Sequence, residues 1–185
     1  MKQQTALSGL AIGLFAAMMF AQSARPRQNV PADPGGWTKA KWGMKESQIK
    51  AAFPQTAQVK DSAGKVRLGL SEYPIDLDKY TVTFWFAEDG GLASIAFDPE
   101  TKGPRNAVAE AVKLDLLDDL TEKYGTPTAA TNEKNEHGGG STRKWQWRFS
   151  KTRIILTWAA YADPDFKHLD QTYLIYSQIR PRGDL

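Results

Sequence analysis

The sequence predicts an α+β fold: two αβββ units whose strands form an antiparallel sheet with helices packed on one face. Three observations lead there. Apolar residues recur at helical spacing in two stretches, each closed by an aromatic residue and a breaker, Phe53-Pro54 and Tyr124-Gly125. After each stretch come runs in which apolar and polar residues alternate, the period of a half-buried strand. Those runs fold back through short turn sequences, which favours antiparallel pairing.

The first two dozen residues stand apart from this fold. Lys2 is followed by an apolar run from Ala6 to Ala21, and small residues occur at Ala21, Ser23 and Ala24. That is the layout of a secretory signal peptide, residues 1–23, with cleavage near Ser23 or Ala24. The run is short for a membrane span, and no basic cluster stands close behind it. Residues 24–36, ARPRQNVPADPGG, carry three prolines and two glycines and read as a flexible arm. A single domain is expected over residues 37–180, divisible into units 37–100 and 101–180, with a polar tail at 181–185.

Within the first unit, Met44, Ile49, Ala52 and Phe53 mark a short helix over residues 45–53. Residues 55–65 are polar, with a turn at Gly64. Val66–Leu70 forms a strand that Tyr73-Pro74 interrupts. Tyr80, Val82, Phe84 and Phe86 then share one strand face, with Thr81, Thr83 and Trp85 on the other. Glu88-Asp89-Gly90-Gly91 turns the chain back into Leu92–Phe97. A turn at Asp89-Gly90 pairs Phe84 with Ile95 and Val82 with Phe97; a turn at Gly90-Gly91 pairs Phe86 with Ile95 and Phe84 with Phe97. Either register keeps the same apolar face, because a shift of two preserves parity.

The second unit opens on a long helix over residues 105–124. Val108, Val112, Leu116, Leu120 and Tyr124 repeat every four residues, widened by Ala109 and Leu117. Gly125 sits where a left-handed cap belongs, and Pro127 prevents re-entry. Residues 128–142 form a polar linker with three consecutive glycines at 138–140. Trp145, Trp147 and Phe149 alternate with Gln146 and Arg148, and Ser150-Lys151 makes a tight turn. Trp147 then faces Ile154, Trp145 faces Leu156, and Trp158 continues that face. Thr172–Ile179 is the last strand.

Trp42-Gly43-Met44 before a short helix ending in Phe53 resembles a group of small bacterial envelope proteins. These are the outer-membrane-assembly lipoproteins of the SmpA/OmlA type and the related β-lactamase-inhibitor-protein-like domains. Leu120, Tyr124-Gly125 and Pro127 resemble the ending of a second helix common in that group. The resemblance covers mainly residues 42–54 and 114–127. It implies an envelope role and action by binding other proteins. The lipid-anchor cysteine of the lipoproteins is missing, and the resemblance supplies no catalytic residue.

Composition narrows the chemistry. The chain of 185 residues contains no cysteine, which excludes disulfides, thiolate metal sites and thiol nucleophiles. Without residues 1–23 the charged side chains number 23 basic and 21 acidic, a balance that argues for no nucleic-acid partner. In Lys144–Arg148 the rings and the cations alternate, so they fall on opposite faces and do not make a strand-binding platform. The histidines, His137 and His168, have no partner at ligand spacing, and no metal or other cofactor is expected. The stretch ADPDFKHLD, with Asp163, Asp165, His168 and Asp170, lacks the glycine and closing glutamate of a calcium loop. No Gly-x-Ser-x-Gly motif occurs. Asp118-Asp119 reads as a solvated helix surface, and Asp76 and Asp78 as turn residues.

Trp85 is the aromatic that the core does not claim. It lies opposite Val82, Phe84 and Phe86, near Thr83, on the sheet surface away from the helices. An aromatic among small polar neighbours on an open sheet face is a typical anchor for a protein partner; the other reading is that a further layer or a second copy of the chain covers Trp85. Arg148, Arg153 and Ile155 extend that face on the second unit. The expected binding residues are therefore Trp85, Thr83, Arg148, Arg153 and Ile155, with no catalytic residue. The expectation is an exported, periplasmic or secreted protein that binds an envelope protein without catalysis. A small secreted enzyme or glycan binder acting on cell-wall material is the alternative.

Overall fold

The computed structural model describes residues 31–61, 63–75, 78–100, 108–134, 140–161 and 169–180. A two-residue hairpin, β1 (Gly36–Trp37) and β2 (Ala40–Lys41), leads into helix α1 (Glu46–Ala52). Four strands follow: β3 (Ala57–Lys60), β4 (Val66–Ile75), β5 (Asp78–Phe86) and β6 (Leu92–Pro99). Helix α2 (Val108–Tyr124) opens the second half, which continues as β7 (Ala129–Lys134), β8 (Ser141–Arg148), β9 (Thr152–Tyr161) and β10 (Leu169–Gln178).

These elements correct the α+β expectation of two αβββ units. The described chain is mostly β, with one eight-stranded antiparallel sheet and only two helices, of 7 and 17 residues. The extra strands are β3 and β7, in stretches whose composition predicts turn and linker. Both are sheet edges, paired on one side only, and β7 is exposed along its whole length. A strand wet on both faces carries no apolar alternation, and polar, charged residues guard such edges against pairing with other chains. β4 also runs past Leu70 to Ile75 through a bulge between Leu70 and Tyr73. Pro74 is tolerated there because β3 covers β4 only as far as Gly69, leaving that stretch a local edge.

The strand order is β3-β4-β5-β6-β10-β9-β8-β7, every neighbouring pair antiparallel. Each half is a meander. The halves meet through their last strands, with Ile95 opposite Tyr176 and Phe97 opposite Leu174, so they are related by an approximate two-fold axis through the sheet.

Period-two alternation sends Tyr80, Val82, Phe84, Ile95, Phe97, Trp147, Ile154, Leu156, Leu174 and Tyr176 to one buried face. Ile49 of α1, Phe53 just beyond its end, and Leu116, Leu120 and Tyr124 of α2 join the same cluster. Trp37 seals it, stacked on Phe53 at 5.7 Å and edge-on to Phe97 at 5.0 Å. The Val82–Phe97 and Phe84–Ile95 pairing is the one set by a turn at Asp89-Gly90. The loop itself is longer by one, since Ala87 N–H donates to Gly91 and Gly90 takes φ +73°. The bulge between Trp85 and Phe86 absorbs that extra residue. Trp147 and Trp145 face Ile154 and Leu156 as the alternation predicts.

Part of the 24–36 segment is tied down. Asp33 accepts hydrogen bonds from Gly35 N–H (2.9 Å), Thr152 O–H (2.6 Å), Ser150 O–H (2.8 Å) and Lys151 N–H. Thr152 in turn accepts from the Trp42 indole at 2.8 Å. Residues 31–36 therefore lie fixed against the β8–β9 turn, 118 positions away in sequence at Lys151.

Candidate functional site

Both helices and the β1–β2 hairpin pack on the Phe84/Phe97 side, so among the described residues no other element covers the residues of opposite parity. Strand register arranges them in rows that cross the sheet. One row runs Ala57–Gly69–Thr83–Ala96–Ile175–Ile155–Gln146–Ala129, through all eight strands. The adjacent row contains Trp85, Ser94, Ser177, Arg153 and Arg148. All five residues singled out from the sequence lie in these two rows.

They do not form one contact cluster. Thr83 and Trp85 touch: the indole N–H donates to the Thr83 hydroxyl at 3.1 Å, and Thr83 is fully buried while Trp85 is half-buried. Arg148 and Arg153 are exposed and directly opposite each other on β8 and β9. Ile155 faces Ile175 across β9 and β10. Three strand spacings separate Trp85 from Arg153, roughly 14 Å at about 4.8 Å each.

Three residues that the sequence reading passed over give this face its shape. Ile175 is one of two large apolar side chains exposed among the described residues, at 37%. With Trp85, Ala96 and Tyr173 it lines a shallow groove of about 460 Å³, which Ser94 and Asp98 border with polar atoms. Arg67 lays its guanidinium over the Trp85 ring, 3.9 Å from the centroid. Asp61 holds that guanidinium: its buried carboxylate receives Arg67 Nε–H at 3.2 Å and the N–H groups of Ala63 (3.0 Å) and Lys65 (2.8 Å). Burial raises the Asp61 pKa, but the hydrogen bonds from Lys65, Arg67 and Ala63 outweigh it and hold the carboxyl below its ordinary value.

Arg67 was legible in principle, since it has the opposite parity to Leu68 and Leu70. Asp61 carried only the signal of an Asx turn before Gly64. Ile175 follows Leu174 in an apolar run, where alternation does not say which side faces water.

Chemically the groove offers apolar surface with a few polar atoms at its border. Asp98 is the one carboxylate lining the groove, so a pair of acids for general acid–base work is not assembled there. Among the described residues no three His, Asp or Glu side chains converge on a point that could hold a metal ion. His137, His168, Asp163, Asp165 and Asp76 lie outside the described residues; Asp118 and Asp119 are exposed on α2. Compared with protein-family models, curated proteins and solved structures, the chain shows no match to any of them.

Proposed function

We propose that this is an exported protein of the bacterial envelope that acts without catalysis, by binding another protein on the open face of its sheet. The observation that carries the reading is the groove of Trp85, Ala96, Tyr173 and Ile175 on the face that neither helix covers. A soluble β protein ordinarily keeps large apolar side chains off a solvated sheet face; a contiguous apolar groove with a polar border fits a binding site. Export rests on Lys2, the apolar run from Ala6 to Ala21 and the small residues at Ala21, Ser23 and Ala24. The groove is shallow and holds one acid, which favours a binder over a hydrolase.

The test is capture from envelope extract with tagged wild type, Trp85→Ala, Ile175→Glu and the opposite-face control Asp118→Lys, each shown folded by circular dichroism. Partners retained by wild type and Asp118→Lys are expected to be lost from the other two. Equal recovery by all four ends the proposal.

A further inference from the structure

We infer that the open face selects a partner segment bearing carboxylates beside an apolar side chain. The carboxylates meet Arg148 and Arg153, and the apolar side chain enters the Trp85–Ile175 groove. The inference rests on the proposed reading of this face as a protein-binding surface and names the partner's chemistry.

Several other cations at or beside the sheet are paired with carboxylates within the chain. Arg67 pairs with Asp61 at 3.2 Å, Lys144 with Glu133 at 3.5 Å and Arg180 with Asp89 at 3.7 Å. Arg148 and Arg153 are two cations on one cross-strand pair, and among the described residues neither lies within ion-pair distance of a carboxylate. They also stand directly opposite each other, and like charges so placed destabilise an antiparallel pair. The hydrogen bond from Phe149 N–H to the Thr152 carbonyl (2.8 Å) lies one position further along the hairpin. Arg148 and Arg153 are therefore a non-hydrogen-bonded pair, the type in which side chains approach most closely. Arg153 Nε–H donates to Ser177 O–H at 3.3 Å, which orients the guanidinium and leaves its terminal amino groups for a ligand. Two guanidinium forks side by side match carboxylates, which they can grip through paired hydrogen bonds.

Register gives the spacing. Arg153 lies two residues along β9 from Ile155, and Ile155 faces Ile175 at the groove. One strand spacing and two residues of rise place the Arg153 and Ile175 backbones roughly 8 Å apart. An extended segment spaces same-side residues about 6.8 Å apart, and a helix separates i and i+4 by about 6 Å. Either form carries an acid and an apolar side chain at a reach this face accommodates. Nucleic acid and a lipid surface fit less well, because both need a broad basic field. Here two arginines occupy one margin, and Asp98 borders the groove.

The test titrates two capped peptides, Glu-Ser-Phe-Ser-Glu and Lys-Ser-Phe-Ser-Lys, which set both charges and the ring on one side of an extended chain, into the isotopically labelled protein and reads backbone amide shifts. With wild type, the acidic peptide is expected to move the amides of Arg148, Arg153, Ile155 and Ile175 saturably. The basic peptide should bind at least roughly tenfold more weakly, the scale of one lost charge-assisted contact. Arg148→Glu with Arg153→Glu should invert the preference, and Arg148→Gln with Arg153→Gln should abolish it. Equal affinity for both peptides, shifts confined to other surfaces, or a preference unchanged by reversal overturns the inference. So does displacement of the acidic peptide by phosphatidylglycerol vesicles, which would assign the arginines to a lipid headgroup. Envelope capture that still depends on Trp85 and Ile175, with no discrimination between the peptides, would sink this inference and leave the binding function standing.

Discussion

Replacing Asp33 should uncouple the N-terminal segment from the second half of the sheet, and the hydrogen-bond chemistry sets the size of the effect. An indole only donates and a carboxylate only accepts, so the Trp42–Thr152–Asp33 chain runs one way: Trp42 N–H to Thr152, Thr152 O–H to Asp33. Thr152 is fully buried. In Asp33→Ala its hydroxyl proton loses its acceptor, and Ser150 and Lys151 must turn to water. One buried donor left unsatisfied costs about 1–3 kcal/mol. The exposed partners add little, so about 2 kcal/mol is expected. Asp33→Asn keeps one acceptor oxygen but turns an amino group towards donors, and should lose about half as much.

The pH dependence follows from the same contacts. Burial raises the Asp33 pKa, but bonds from Thr152, Lys151, Gly35 and Ser150 dominate and lower it to about 2. The unfolded value is about 3.9. A group depressed on folding stabilises the protein above its unfolded pKa, and that contribution fades as pH falls through the folded one. Asp33 is only partly buried, so solvent screening reduces the linkage to about 1 kcal/mol. Urea unfolding followed by circular dichroism should show wild type ahead of Asp33→Asn at pH 7, with the gap narrowing between about pH 4 and pH 2. An Asp33→Ala protein as stable as wild type at pH 7, or a gap constant down to pH 2, would refute the argument.

Three further perturbations probe the frame that carries the open face. Trp147 is 1% exposed and donates its indole N–H to the Gly125 carbonyl at 2.6 Å; Trp147→Phe should cost about 2–4 kcal/mol in urea unfolding, from lost volume and an orphaned carbonyl. Ile49 is fully buried between α1 and the sheet, and Ile49→Ala should lower stability by about 2–5 kcal/mol, read as a drop in thermal midpoint. A Cβ at Gly69 would stand 2.2 Å from the Val82 carbonyl oxygen and 2.4 Å from Val59 Cγ2. Gly69→Ala should therefore cost about 1–3 kcal/mol and speed hydrogen exchange along Ala57–Lys60; unchanged exchange there would contradict the packing argument.

Local order was legible wherever one face of an element is buried. The stripe ending in Leu116, Leu120 and Tyr124, the shared face of Val82, Phe84, Ile95 and Phe97, and the Trp147–Ile154 pairing each follow from period and turn chemistry alone. Parity also places Thr83 and Trp85 on one face of the first unit and Arg148, Arg153 and Ile155 on one face of the second. Legibility failed at the margins. β7 is exposed along its whole length and β3 at every residue but Val59, so these short edge strands carry no apolar alternation. The α+β expectation failed with them, since two unread edge strands and the length of β4 shift the balance to β.

The sequence by itself determined the helical stripe, the register of the Trp147–Ile154 hairpin and the face on which each alternating strand residue stands, because these are set by local period and turn chemistry; between the two registers open to the Tyr80–Phe97 hairpin the structure chose. Only the tertiary structure decided that the two halves share one sheet, through β6 and β10, whose paired residues Ala96 and Ile175 are far apart in the chain. That single pairing brings Ala96 beside Ile175 and completes the groove. It likewise took the folded chain to lay Arg67 on Trp85 and to fasten Asp33 to Thr152. Contacts of this kind leave no period in the sequence; they exist once the chain has closed on itself and distant side chains share the same few ångströms.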